Sequence, residues 1–189
     1  MAPEDDAFDA LYEVEPGAFV AARDALAKEL RGRGDTERAA EVKGLRRPSV
    51  AAWALNQVAR RRADDVAALV AAGQAVQEAQ ARAVSSGDRD GLRSASDERR
   101  RLVQSLAKEA TSLAGAAHRD AVVATLEAAS LDPDAAAPLL AGRLTRELDA
   151  PAMFGLAGMP EPSARRAPRQ RRASRERTPG ADAAAEAEA

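Results

Sequence analysis

The side chains best suited to chemistry in this sequence lie between Ala40 and Arg62, where the only tryptophan stands among basic and amide residues. Arginine binds phosphates and carboxylates, whereas amide and indole groups donate hydrogen bonds to bases or to protein partners. These types predict recognition rather than catalysis. The candidate contact residues are Arg46, Arg47, Ser49, Trp53, Asn56 and Arg60.

Residues 36–56 have a spacing that resembles a DNA-binding helix-turn-helix. Ala40, Gly44 and Val50 fall where such a motif places a small residue, a turn glycine and an early apolar residue of the second helix. The second helix, however, offers Ala51 and Ala52 where side chains that read bases are needed. DNA binding is therefore an alternative hypothesis.

Catalytic side chains are sparse. His118 is the only histidine, and the chain has no cysteine. No nucleophile elbow, phosphate-binding loop or dinucleotide-binding turn is present in the sequence. Carboxylates are numerous but alternate with arginines, a pattern typical of solvated helix faces. An enzyme with an acidic site is a third, unsupported reading, and we expect no metal or cofactor.

An all-α fold is expected to position these residues. Aromatic residues make up only 3% of the chain, and alanine, arginine, leucine and glutamate favour helices. Caps and apolar spacing predict helices at 15–34, 35–44, 48–62 and 64–83, a long fifth helix from 89 to about 115, and a sixth helix at 122–129 or a bent continuation of the fifth. The Asp132-Pro133 pair is a cap that starts a new segment, Pro138 makes it irregular, and Leu140, Leu144 and Leu148 mark a last short helix.

The helix predicted over residues 48–62 is apolar or small on nearly all sides, so we expect it to lie at the centre of a bundle. A helical wheel places Trp53, Asn56, Gln57 and Arg60 on one side. The favoured interpretation is that Trp53 fills a gap between helices, with Asn56 or Gln57 satisfying backbone or indole groups. The alternative is an exposed recognition patch.

Composition divides the chain into four regions. We expect an acidic arm over 1–14, a helical bundle over 15–150, a short apolar docking segment over 151–159 and a disordered tail over 160–189. Within the bundle, the two long helices on either side of residues 85–88 predict an antiparallel hairpin of coiled-coil type. The hairpin is a candidate surface for a protein partner or for a second copy of the chain.

The tail is arginine-rich and then acidic. Clustered arginines favour weak, nonspecific binding of nucleic acid, or they only keep the chain soluble. Ser174 and Thr178 lie in sequences that resemble phosphorylation sites, where added phosphate would reduce the positive charge. The candidate nucleic-acid contacts in the tail are Arg165, Arg166, Arg169, Arg171 and Arg172.

Some short motifs resemble an uncharacterised all-helical family of high-GC actinobacteria. They are the Leu45–Trp53 run with Asn56, the Asp132-Pro133 pair, and the Gly142–Arg146 run, and the resemblance covers about residues 10–156. The resemblance implies no activity. The net charge of −2 excludes a chain that is a nucleic-acid-binding polycation as a whole. The absence of cysteine, of a secretory signal and of a long apolar segment predicts a cytoplasmic protein without a membrane partner. We therefore expect a non-catalytic interaction or regulatory protein.

Overall fold

The chain folds into eight α-helices over residues 3–148, the part that the computed structural model describes. No strand occurs in this range, which confirms the all-α prediction. The helices are α1 Pro3–Leu11, α2 Phe19–Gly32, α3 Thr36–Gly44, α4 Val50–Arg61, α5 Ala63–Ser86, α6 Arg89–Ala114, α7 Arg119–Leu131 and α8 Pro133–Leu140, with a 3-10 turn at Ala116–His118.

Side-chain caps set the start of several helices. The carboxylate of Asp35 accepts a hydrogen bond from the N–H of Arg38, and Asp132 accepts from the first residues of α8. The hydroxyl of Ser49 accepts from the N–H of Ala52. Each cap satisfies a backbone donor that has no partner within its own helix. These starts are the ones that the sequence predicts.

Helices α5 and α6 form the predicted antiparallel hairpin. The turn passes through Gly87, whose φ of 77° is a left-handed conformation that glycine adopts without strain. Helix α7 packs against both helices, and a Cβ on Gly73 would overlap the backbone of Ser130. The absence of a side chain at Gly73 therefore lets α5 and α7 approach closely.

Helix α4 lies at the centre of the main core, as its wheel predicts. It contacts α5, α6, α7 and α8. Leu55 and Val58 are each 1% exposed, and the facing helices contribute Leu69, Leu106 and Leu126, which are fully buried. The residues of α4 that are buried are Ala51, Ala52, Ala54, Leu55, Asn56, Val58 and Ala59.

The N-terminal region differs from the expected acidic arm. Helix α1 and the turn after it belong to the same compact unit as the bundle. Leu11 and Tyr12 are buried, and a second core joins Leu11 to Phe19, Leu30 and Val42. The sequence prediction missed this packing because acidic residues dominate the composition of the region. A few apolar side chains among them are enough to bury one face of a short helix.

The prediction of a last helix through Leu140, Leu144 and Leu148 is wrong. Helix α8 ends at Leu140, and Gly142 then takes a φ of 64°, which stops the helix. Residues 143–148 follow as irregular chain beside α4, with Leu144 buried. The predicted docking segment 151–159 and the tail 160–189 lie outside the described residues.

Candidate functional site

The polar side of α4 binds the N-terminal segment of the chain itself. The indole Nε1 of Trp53 donates to the carbonyl oxygen of Glu13 at 3.2 Å, and Nε2 of Gln57 donates to that of Tyr12 at 3.0 Å. Trp53 is half-buried. Burial raises the pKa of the Tyr12 phenol, an effect that Arg143 opposes and Asp9 reinforces. The side chains of Trp53 and Gln57 thus hold the turn after α1.

Arg60 joins this segment to the chain after α8. Its Nη1 donates to the carbonyl oxygen of Gly142 and its Nη2 to that of Asp9, both at 2.9 Å. Its Nε also lies 3.4 Å from a carboxylate oxygen of Glu13. The planar guanidinium can serve several acceptors at once. One side chain of α4 therefore fixes two segments that are distant in sequence.

Asn56 and Ser49 hold the remainder of the segment after α8. The fully buried amide of Asn56 exchanges two hydrogen bonds with the backbone of Leu144. The N–H of Ser49 donates to the carbonyl oxygen of Thr145 at 3.1 Å, and its hydroxyl donates to the Glu147 carboxylate at 2.8 Å. Trp53, Asn56 and Arg60 thus contact the chain's own backbone and do not form an exposed patch.

The geometry of α3 and α4 does not match a DNA-reading helix-turn-helix. A recognition helix must present one face to the major groove. Helix α4 is instead buried on its apolar side and covered on its polar side by residues 9–13 and 142–147. Arg46 and Arg47, in the loop before α4, are exposed. They are surface cations on a loop, without a base-reading helix beside them.

The candidate contacts in the tail, Arg165, Arg166, Arg169, Arg171 and Arg172, and the candidate phosphorylation sites, Ser174 and Thr178, lie outside the described residues. Their predicted roles stay predictions. The hairpin, a candidate surface for a protein partner or for a second copy of the chain, exposes Val84 at its tip with 91% of its surface accessible. That role also stays a prediction.

A groove lies between α6 and α7. Its volume is about 850 Å³. One wall is a stripe along α6, and the other is the stripe of Arg119, Val123 and Glu127 on α7. Val103 and Ala107 are each 5% exposed and form an apolar floor. The α6 stripe consists of Ser96, Arg99, Arg100, Val103, Gln104, Ala107, Lys108 and Thr111.

The groove runs along both helices because α6 and α7 are antiparallel. Arg99, early in the α6 stripe, donates from Nη1 to the Ser130 hydroxyl near the end of α7, at 3.0 Å. Arg119, at the start of α7, lines the groove at the opposite end. From Ser96 to Thr111 the stripe extends about 22 Å at 1.5 Å per residue. The groove is therefore elongated, with a length suited to a helical segment.

Positive charge dominates the rim of the groove. Arg100 pairs with Asp97 at 3.1 Å, but Lys108 and Arg119 are exposed and have no ion pair among residues 7–148. Glu127 is the one acidic residue of the lining. Exposed cations beside an apolar floor attract an anionic ligand that also has apolar surface to bury.

Two polar atoms of the groove lining lack partners. Nε of Arg99 and Oγ1 of Thr111 are shielded from solvent and form no hydrogen bond with any described residue. Buried polar atoms are rarely left in this state, because the missing hydrogen bond costs free energy. Both atoms belong to residues that line the groove.

Sequence reasoning missed this groove. The run Asp97–Arg101 has the alternation of carboxylates and arginines that is typical of a solvated helix face, and Arg101 is indeed exposed and paired with Glu98. The available signal was the helical spacing of Arg99, Val103 and Ala107 next to basic residues. That spacing defines one wall only, since the position of α7 against it depends on tertiary packing.

His118 lies half-exposed in the short turn before α7. Within residues 3–148 there is no group of three or more His, Cys, Asp or Glu side chains placed to hold a metal ion. In the same range, none of the helices has the length and apolar character needed to cross a bilayer.

The fold and the groove define the class of protein as an all-α domain with a basic, apolar-floored surface groove. Comparisons with protein-family models, with curated proteins and with solved structures found no match. The resemblance to an actinobacterial family therefore stays a prediction.

Proposed function

We propose that this protein is a non-catalytic interaction protein that binds an acidic amphipathic helix of a partner in the α6–α7 groove. The observation that carries the proposal is the combination of the apolar floor at Val103 and Ala107 with the unpaired cations Lys108 and Arg119 on the rim. A helix in such a groove buries its apolar stripe and places its acidic flanks against the rim.

The composition of the groove favours a protein helix over a nucleic acid. Phosphate backbones gain from cations but have no apolar surface to bury against Val103, Ala107 and Val123. An amphipathic helix can bury its apolar face against the floor and place its acidic side chains beside the cations of the rim.

Fluorescence anisotropy with a synthetic probe tests the proposal. The probe is a fluorescein-labelled peptide of about 15 residues, which as a helix matches the length of the groove. It carries leucine and alanine on one face and glutamate on both flanks. We expect saturable binding that weakens as salt increases, because the rim pairs are solvent-exposed. A peptide with lysine in place of glutamate should not bind.

Charge reversal locates the binding site. Lys108→Glu combined with Arg119→Glu should weaken probe binding by about tenfold or more, since both rim attractions become repulsions. The matched control is Lys28→Glu with Arg31→Glu, which changes the net charge equally at two exposed positions on α2 without ion pairs. This control should bind the probe almost as well as the natural sequence.

Three results would contradict the proposal. The first is the absence of probe binding to the natural chain. The second is equal loss of binding in the α2 control. The third is a double-stranded DNA mobility shift that Lys108→Glu with Arg119→Glu abolishes, since the groove would then be a nucleic-acid site.

A further inference from the structure

We infer that the α6–α7 groove holds a partner helix in one direction, with the C-terminal end of that helix beside Lys108 and Arg119. The bound helix then runs parallel to α6 and antiparallel to α7. This inference rests on the proposed function, because it assigns the orientation of the ligand in the same groove. The observation that carries it is the unequal distribution of charge between the two halves of the groove.

The contact between Arg99 and Ser130 sets the order of residues along the groove. Nη1 of Arg99 donates to the hydroxyl of Ser130 at 3.0 Å, so the first half of the α6 stripe faces the end of α7. About the same number of residues separates Arg99 from Thr111 on α6 and Ser130 from Arg119 on α7. Because each residue of an α-helix rises by about 1.5 Å, Thr111 and Arg119 lie together at the other end. Glu127 is less than one turn from Ser130 and therefore lies in the half near Arg99.

Carboxylates balance the cations in the half of the groove near Arg99. Arg100 pairs with Asp97 at 3.1 Å. The carboxylate of Glu127, which lines the same half, opposes the charge of the Arg99 guanidinium. This half therefore has little net charge with which to attract either end of a helix.

The half of the groove near Thr111 has positive charge without a carboxylate in its lining. Lys108 and Arg119 are exposed there and have no ion pair among residues 7–148. The acidic residues next to them in sequence, Glu109 and Asp120, do not line the groove. Glu109 instead pairs with arginines at the end of α4. The excess of positive charge is thus confined to one end.

The two ends of a helical ligand differ in charge even when its side chains are evenly distributed. The C-terminal end has a partial negative charge, because its last carbonyl oxygens have no partner within the helix, and the N-terminal end has a partial positive charge. With its C-terminal end beside Lys108 and Arg119, the ligand brings these carbonyl oxygens to two cations. The reverse orientation places two like charges together. The first orientation should therefore be favoured by about fivefold or more.

Paramagnetic relaxation enhancement measures the orientation. The ligand is the glutamate-flanked peptide of the binding experiment, acetylated and amidated so that its terminal charges are removed. It carries a nitroxide on a single cysteine at one end, and the protein has no cysteine that could take the label. A label at the C-terminal end should broaden the amide signals of Lys108 and Thr111 about fivefold more strongly than those of Ser96 and Arg100, in the ratio of the two orientations. A label at the N-terminal end should give the reverse.

Moving the excess charge to the other half should reverse the preference. In the triple variant Lys108→Gln, Arg119→Gln and Glu127→Lys, the unbalanced cations lie in the opposite half of the groove, while the apolar floor is unchanged. The label at the C-terminal end of the peptide should now broaden the signals of Ser96 and Arg100 more strongly.

The matched control makes the same kinds of substitution away from the groove. Lys28→Gln with Arg31→Gln and Glu37→Lys changes three exposed positions on α2 and α3 and leaves the net charge as it is in the triple variant. This control should bind the labelled peptides in the orientation found for the natural chain.

The outcomes separate this inference from the proposed function. If the two labels broaden both ends equally, or if the N-terminal label acts more strongly on Lys108 and Thr111, the inference is wrong, while saturable binding of the probe keeps the proposed function. A triple variant that retains the natural orientation would also overturn the inference, since charge would then not orient the helix. If the probe does not bind the natural chain, both proposals are wrong.

Discussion

The side chain of Asn56 pairs with both backbone groups of Leu144. Its Nδ2 donates to the Leu144 carbonyl oxygen at 2.9 Å, and its Oδ1 accepts from the Leu144 N–H at 2.8 Å. Asn56 is fully buried and Leu144 is 2% exposed. The backbone N–H and carbonyl of Leu144 have no partner in a helix or a sheet, and the amide of Asn56 supplies both hydrogen bonds instead.

Asn56→Ala should lower the free energy of unfolding by about 2–4 kcal/mol, because it leaves a buried donor and a buried acceptor of Leu144 unpaired. Urea denaturation monitored by Trp53 fluorescence measures the change. Gln57→Ala is the control, since it removes a hydrogen bond from a half-buried side chain and should cost about 1 kcal/mol. Equal losses in the two variants would contradict the role of Asn56.

Arg60→Lys should also destabilise the fold, by about 1–2 kcal/mol, since a single ammonium cannot reach both the Gly142 and the Asp9 carbonyls. The turn after α1 loosens first, so amide exchange of residues 9–14 should speed up more than that of α6. Arg61→Lys, at an exposed position with one 3.8 Å ion pair, should change stability by less than about 0.5 kcal/mol. Unchanged exchange at residues 9–14 in Arg60→Lys would refute the prediction.

Gly73→Ala should destabilise the protein by about 1–3 kcal/mol, because the new Cβ collides with the Ser130 backbone and pushes α7 away from α5. Thermal unfolding followed by circular dichroism checks this. Gly32→Ala is the matched control, since no atom lies within 4 Å of its Cβ position, and helix propensity should keep stability equal or raise it by up to about 1 kcal/mol. Similar melting temperatures for both variants would show that the close approach is unimportant.

Tyr12→Phe should change how stability depends on alkaline pH. Because the pKa of Tyr12 is raised in the folded protein, the fold binds the phenolic proton more tightly than the unfolded chain does. This part of the stability is complete below the ordinary pKa of about 10 and is lost as pH rises through the folded pKa. Tyr12→Phe should therefore decline less above pH ~10 while behaving like the natural chain near neutrality. Parallel curves for the two proteins across that range would contradict the prediction.

The helices could be predicted from the sequence because their signals are local. Asp35, Ser49 and Asp132 are caps that act within a few residues, and Gly87 and Gly115 stop the hairpin helices. The prediction of a last helix was wrong because it also used only local signals. The spacing of Leu140, Leu144 and Leu148 is helical, but Gly142 and the distant Asn56 impose another conformation.

The candidate site was less accessible to sequence reasoning. The basic residues of α6 are visible in the sequence, yet a groove exists only where Val123 and Arg119 of α7 lie opposite them. The position of α7 depends on how closely the helices pack. The lack of a side chain at Gly73 allows α7 to lie close to α5. A single glycine in a long helix does not reveal which helix it will face.

The sequence by itself determined that residues 48–62 would form a central helix, since a helix small or apolar on nearly every side must be buried. Tertiary structure alone decided what its polar side does. The periodicity of a helix fixes the direction in which Trp53, Asn56 and Arg60 point, but not which part of the chain meets them. Here that side meets the turn after α1 and the segment after α8, because their backbone groups need buried partners.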